Sequence, residues 1–458
     1  MLKNNNHAIN KLLKLGNLKL LTDALANLSP FALSNLISSK SFQQQLQLFK
    51  ALNPTQAAET FDFLPLHIQK QLLQALSKEQ AASLLNTLSP DDRTQFLEEL
   101  PRETIDELVK LLPREEQILT LSLLGYPEGS VGRLMTPDYI AVKLDWTVEK
   151  VLEHIRAYGH DSETIDMIYV IDDAGKLLDD IKLKQFLFVD RYTRVQQISD
   201  QKFVALMARS SEEAAINLFA NYNRLALPVI DTEGILLGIV TIDDILRLSN
   251  EEATKDIQKM GGTEELDEPY MQAPFLTLMN KRARWLVILF IGEMLTATVL
   301  GYFEDEISQA VVLALFLPLI ISSGGNAGSQ ASTLVVRAMA LDEITISDWW
   351  RVVKREVLSG LFLGIVLGTI GFMRVSLWSA FSNIYGEHWL LVATTIALSL
   401  VGVVMWGTLS GAILPLILKR LGTDPAVSSA PFVATLSDVT GLIIYFLIAM
   451  AVLHGTLL

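Results

Sequence analysis

The chain has 458 residues, a formal net charge of −14 and no cysteine. Phosphate backbones attract basic surfaces, so nucleic acid is excluded as an expected partner, and the missing thiols exclude disulfide frameworks, thiolate metal sites and cysteine nucleophiles. Six histidines without HExxH-like spacing, and no nucleophile motif, set the enzyme classes aside.

The opening MLKNNNHAINKLLKLG is too polar for a secretory signal, so the first half is expected in the cytoplasm. From Leu52 a leucine returns every twelve residues, at Leu64, Leu76, Leu88, Leu100 and Leu112, commonly followed by Pro or Ser. This period predicts stacked short helices over residues 1–130. Pro presets a first helical turn, and the run from Ser89 through Asp92 supplies a cap and negative charge at a helix start. Asp91 and Asp92 serve either that helix end or a shared ion.

A second repeat follows: YVIDDAGKLLDDIKLKQFL from Tyr169 returns 59 residues later as PVIDTEGILLGIVTIDDIL from Pro228. Both copies read strand, turn, strand, helix, each after a helix-like segment, near Val148 to Tyr158 and Glu212 to Tyr222. Residues 131–248 thus resemble a pair of cystathionine-β-synthase-type (CBS) modules, which in many proteins sense a ligand and regulate an attached transporter or enzyme. In the second copy GIVTIDD fits that family's nucleotide-contacting pattern, which implies Thr241 and Asp244 as cofactor contacts, with ATP as the candidate nucleotide. A helix cap is the alternative for both residues. The first copy has Asp179 and Asp180 where the second has Gly238 and Ile239, and no nucleotide site is expected there.

Residues 249–280 form an acidic connector with Glu251, Glu252 and Asp256, then Glu264, Glu265, Asp267 and Glu268. Such a run is either a solvated face or a set of carboxylates that an ion can draw together.

The remainder holds five apolar runs long enough to cross a bilayer: 285–303, 311–341, 357–381, 390–418 and 432–453. Lys281, Arg282 and Arg284, then Arg351, Lys354 and Arg355, then Lys419 and Arg420 mark the cytoplasmic side, which places the amino terminus inside and the carboxyl terminus outside. Asp438 stands near the middle of the last run, where an ionised group costs roughly 2.5 to 3.5 kcal/mol or more and usually faces a water-filled path. Glu293 is a second carboxylate at depth, either on that path or in a helix-to-helix hydrogen bond. The second run contains LPLIISSGGNAGSQAS, whose Pro and Gly are expected to loosen the helix and free carbonyls toward a cation path. Close packing of small residues is the alternative, although it requires neither the Asn326 nor the Gln330 amide.

GGNAGSQ from Gly324, GAILPLILKRLGTDPA from Gly411 and PFVATLSDVTGLIIY from Pro431 together resemble the MgtE family of magnesium transporters. The order of parts matches too, so the resemblance covers nearly the whole chain. It implies a multidomain membrane protein: an all-α superhelical amino-terminal domain (1–130), an α/β CBS-domain pair (131–248), an acidic connecting, or plug, helix (249–280) and a five-helix transmembrane domain (281–458). The function implied is Mg²⁺ import across a bacterial-type plasma membrane by a homodimer with its pore on the dimer axis, closed when Mg²⁺ binds the cytosolic acids. The residues carried over are Asp438 as pore ligand with Ala434, Gly325 and Asn326 lining the path, and Asp91, Asp243, Glu252 and Asp256 as the cytosolic sensor. Lys255 departs from the family pattern, which has an acid there. Two other readings stay open: a proton- or sodium-coupled carrier of a solute or another divalent cation, and a membrane anchor for a nucleotide-sensing CBS pair.

Overall fold

The computed structural model describes residues 9, 12, 13 and 18–457, apart from 267–269, 272, 342 and 383. It divides into two compact units, Met1–Asn250 and Glu251–Leu458.

The first unit opens with short helices: α1 (Leu18–Leu25), α2 (Pro30–Ser38), α3 (Phe42–Lys50), α4 (Pro54–Asp62), α5 (Leu66–Ala75), α6 (Lys78–Thr87), α7 (Pro90–Glu98), α8 (Arg102–Val109) and α9 (Arg114–Leu124). Ser29, Asn53 and Ser89 cap α2, α4 and α7 by accepting a backbone N–H, and a proline follows each cap in the first turn. The twelve-residue leucine period is the packing rule of this stack. Leu64, Leu88 and Leu112 are buried in one continuous core, and Leu52, Leu76 and Leu100 pack against it half-buried. Alternate leucines therefore go deeper, as expected where successive helices lie on opposite sides of a core.

Two α/β copies complete the unit. After α10 (Val131–Leu134), the first contains β1 (Ala141–Val142), α11 (Val148–Tyr158), β2 (Met167–Ile171), β3 (Leu177–Lys182) and α12 (Leu183–Leu187). After α13 (Val195–Ile198), the second contains β4 (Leu206–Met207), α14 (Glu212–Asn221), β5 (Ala226–Ile230), β6 (Leu236–Thr241) and α15 (Ile242–Met260). In each sheet the short first strand runs parallel to the second and the third is antiparallel to it. Each hairpin turns on an Asp whose carboxylate accepts two backbone N–H bonds, Asp172 and Asp231, and on a Gly at positive φ, Gly175 and Gly234. The two tips also bond to each other, Leu177 N–H to Gly234 O and Leu236 N–H to Gly175 O.

The second unit holds five helices long and apolar enough to cross a membrane. They are α16 (Phe275–Tyr302), then, past the short α17 (Glu304–Gln309), α18 (Leu317–Ala340), α19 (Trp349–Phe381), α20 (Trp389–Arg420) and α21 (Ala430–Leu453). The basic residues that bound the apolar runs lie inside these helices at their ends: Lys281, Arg282 and Arg284 in α16, Arg351, Lys354 and Arg355 in α19, and Lys419 and Arg420 in α20. The helices thus continue past the hydrocarbon stretch.

The Gly-rich run of the second span differs from expectation. Leu317–Ala340 is one continuous α-helix, and the irregular backbone, a 3₁₀ segment, lies earlier at Val311–Phe316. The glycines serve close approach instead of loosening the chain. A Cβ on Gly328 would come within 2.7 Å of Val433 Cγ1 and 2.9 Å of Gly407 O, so α18 and α20 meet there nearly backbone to backbone, with the Val433 side chain of α21 packed against them. The carbonyls of this run stay within the helix ladder.

Candidate ion site and cytosolic acid cluster

At membrane depth, the middle of α21 lies against the Gly-rich part of α18. Gly325 sits beside Ala434, and a Cβ there would be 3.4 Å from Ala434 Cβ and 3.7 Å from Asp438 Oδ1. Small residues on both helices thus leave only a methyl-sized gap between α18 and the Asp438 carboxylate. Asp438 is half-buried, and among the described residues no hydrogen bond or ion pair reaches it. The charge it senses is Glu293 on α16, next to Gly292, whose Cβ would meet Thr435 of α21 at 2.9 Å. Glu293 is exposed and makes no hydrogen bond to another helix among the described residues, so the helix-to-helix bond considered for it does not form. Two acids therefore share this depth without a basic partner.

The amides on α18 are also accounted for. Ser322, Asn326 and Gln330 recur every four residues on one exposed face of α18, with Asn326 Nδ2 donating to Ser322 Oγ at 3.2 Å. A polar stripe of this kind is expensive against hydrocarbon, where its polar groups find no partners. It marks a face turned to water or to another protein surface.

In the first unit the acids gather where α4 and α7 meet the start of α15. Asp91, in the first turn of α7, is buried, and its Oδ1 has no hydrogen-bond partner. Burial, then the charges of Asp92 and Asp244, hold its carboxyl well above the usual carboxylate range. Asp243 is exposed beside them and Glu163 faces the same cluster; desolvation first, then Asp92, Asp244 and Asp243, push Glu163 up to about 7. Arg247 joins three of the acids: it contacts Asp62 at the end of α4, reaches Asp92 Oδ1 at 3.4 Å and holds Asp244 Oδ1 at 2.5 Å. Asp62 still rises to about 7, from desolvation and Asp92.

The residues expected to touch a nucleotide have intramolecular roles here. Thr241 Oγ1 donates to Asp244 Oδ2 at 2.8 Å, and the other oxygen of Asp244 holds Arg247. In the first copy, Asp179 accepts from Ser199 Oγ, Asp200 N and Gln201 N, which fixes the turn where Gln201 adopts a positive φ, and Asp180 pairs with Arg224 at 3.1 Å. These two aspartates are structural.

Glu252 and Asp256 lie in the second unit, on the later turns of α15. Glu252 is paired with Lys255 at 2.8 Å. Lys259 bridges Glu265 at 2.6 Å and Asp424 at 2.8 Å, tying the end of α15 to the α20–α21 loop. Asp267 and Glu268 lie outside the described residues. Sequence reasoning missed Asp62 and Glu163, which lie far along the chain from Asp91 and Asp244, and Arg247, which stands three residues from Asp244 but 155 from Asp92.

Comparison with known proteins decides the family. Residues 317–448 match the family model MgtE, described as a divalent cation transporter; residues 28–129 match the MgtE intracellular N domain, and 131–188 and 195–251 match the CBS domain. The chain is 40% identical over 334 residues to "Magnesium transporter MgtE" of Thermus thermophilus, covering 73% of this chain and 72% of that protein. It belongs to the MgtE family. The protein of the same name from Enterococcus faecalis is 32% identical over 71% of this chain and 70% of its own length. Among solved structures, "Crystal structure of the cytosolic domain of the Mg2+ channel MgtE in complex with ATP" superposes with a TM-score of 0.52 at 31% identity, covering 53% of this chain and 99% of that one.

Proposed function

We propose that this MgtE-family protein imports Mg²⁺ through a path lined by α18 and α21, with Asp438 as the carboxylate that holds the hydrated ion. The single observation carrying this reading is an acid at membrane depth, beside Gly325 and Ala434, with no basic partner among the described residues. Mg²⁺ dehydrates reluctantly and keeps several waters, so one unpaired carboxylate per chain suits the hydrated ion better than a dry cage of ligands. The exposed Ser322, Asn326 and Gln330 face supplies partners for that hydration shell. A second copy of the chain laid against this face encloses the path and presents two copies of Asp438, a paired negative charge that favours cations. With the basic helix ends on the cytoplasmic side, the amino terminus is inside and the carboxyl terminus outside. The relatives named magnesium transporters support the choice of ion.

Asp91 and Asp243 in the first unit, with Glu252 and Asp256 further along α15, are the acids we assign to sensing. Divalent ions that reduce repulsion among them favour a compact cytosolic half and a closed path. A nucleotide at the CBS pair is supported by the ATP-bound neighbour, and it engages Thr241 and Asp244 only by exchanging their present bonds.

The test is Mg²⁺ entry into liposomes carrying the full chain and an internal magnesium indicator. Asp438→Ala abolishes entry in this reading; unchanged entry eliminates the site. Entry that requires an imposed proton gradient returns the coupled-carrier alternative.

A further inference from the structure

We infer that Arg247 is a built-in cation that joins the helical domain to the second CBS copy, holding with one guanidinium the carboxylates that a divalent ion would otherwise have to neutralise. This role deepens the proposed sensing by the cytosolic acids and rests on that reading.

Arg247 projects from the second turn of α15 into a space bounded by Asp62 at the end of α4, Asp92 at the start of α7 and its own neighbour Asp244 one turn back. Two of those acids belong to the helical domain and one to the second CBS copy, so the side chain spans the contact between them. A guanidinium suits this task, because its planar fork presents five donors in different directions and stays charged at any physiological pH. Two of its nitrogens are engaged, Nη1 with Asp62 and Nη2 with both Asp92 and Asp244. The side chain is 30% exposed, sheltered enough for the pairs to be screened less than surface pairs.

The surrounding acids point the same way. Beside Asp62, Asp92 and Asp244, the carboxylates of Asp91, Glu163 and Asp243 lie near enough to Asp92 or Asp244 to add to the negative charge here. Yet among the described residues no three acidic or histidine side chains are placed to hold a metal ion together. The guanidinium occupies the point on which three of the carboxylates converge. Arg93, next to Asp92 along α7 and buried, is committed elsewhere, to Glu116 and to Leu85 O.

The consequence concerns sensitivity. With a permanent cation in place, the joint between the two domains is held at low Mg²⁺, and fewer ions are needed to complete it. Without the cation, three carboxylates are left facing one another, and compaction depends on added divalent ions.

The experiment compares the full-length protein with Arg247→Gln and Arg247→Lys, following limited proteolysis between the helical domain and the CBS pair in chelator and across a MgCl₂ titration, with calorimetric counting of bound Mg²⁺. We expect the parent protein to be protected in chelator, Arg247→Gln to be cut several-fold faster there but protected again by MgCl₂, and its Mg²⁺ count to rise. Arg247→Lys, which keeps the charge and loses the fork, falls between them. Equal protection of Arg247→Gln and the parent in chelator, or accelerated cleavage that MgCl₂ does not reverse, overturns the inference; the latter is the signature of a merely structural arginine. Should Arg247→Gln not fold, the variant that adds Asp62→Asn and Asp92→Asn to it replaces it: with those carboxylates neutralised the cation is no longer needed, so folding and protection in chelator return, and their failure to return also overturns the inference. Proteolysis and ion counting do not depend on flux, so an active Asp438→Ala protein would remove the pore assignment while leaving the role of Arg247 to be decided by these measurements alone.

Discussion

In the first unit the carboxylates of Asp62, Asp92, Asp180 and Asp244 each meet an arginine, whereas in the second unit Asp438 meets no basic group among the described residues and has only another acid, Glu293, in electrostatic range. The difference separates two uses of the same side chain. An acid with an internal counter-ion holds structure, and removing it leaves a sheltered arginine uncompensated. An acid without one, at a depth where charge is costly, is kept for something that arrives from outside. Asp91 stands between these cases, buried, close to acids and with one oxygen unpartnered, which is why it remains the first choice for a sensor ligand.

The largest expected effect breaks the comparison at its sharpest point. Asp438→Asn reduces Mg²⁺ flux by a factor of roughly a hundred or more while the detergent-solubilised protein melts no lower than the parent, because an uncompensated charge at depth is removed; flux and melting temperature measured on the same preparations check both halves. Asp180→Asn does the opposite. It orphans Arg224, and because that pair is partly exposed the loss is put at about 1–3 kcal/mol, below the range for fully buried pairs, read from denaturant unfolding followed in the CBS pair, with flux per folded molecule unchanged.

A smaller effect comes from protons. Asp62 and Glu163 are raised to about 7 and Asp244 to about 6, each chiefly by desolvation. A carboxyl with a raised folded pKa binds more protons folded than unfolded, so stability increases as pH falls through the folded values toward the unfolded ones, and decreases as pH rises through about 7. In chelator, the first unit should therefore resist heat better near about pH 5.5 than near about pH 8, and saturating MgCl₂ should narrow that gap; a melting temperature that rises with pH over the same range contradicts the assignment. The smallest effect is at Thr241→Val, which removes one hydrogen bond to Asp244 and is expected to cost about 0.5–1.5 kcal/mol. Because Arg247 still holds Asp244, ATP affinity measured on this variant sharpens the comparison: a large loss shows that the pair serves a nucleotide as well as the helix start.

What is legible in the sequence is what is local or periodic. Leu64, Leu88 and Leu112 announce a helical stack because each helix repeats the same packing problem, and Asp172 with Gly175, like Asp231 with Gly234, announces a hairpin because turn chemistry is completed within a few residues. Asp438 is legible because a carboxylate in an apolar run is anomalous wherever it occurs. The arginine joint is not, since Arg247 lies 185 residues from Asp62 and 155 from Asp92 along the chain. The glycines of α18 depart from expectation for a different reason. Local sequence gives the same signal for a loosened helix and for a tightly packed one, and only the partner backbone at Gly407, visible in three dimensions, decides between them.

The most direct test of the pore assignment is a structure of the full-length protein in a lipid environment with saturating Mg²⁺. A hydrated ion is predicted between the Asp438 carboxylates of two chains, with the Ser322, Asn326 and Gln330 face turned toward the same water-filled path. An Asp438 carboxylate lying against hydrocarbon, or enclosed in dry packing while ions occupy only the cytosolic acids, would contradict it.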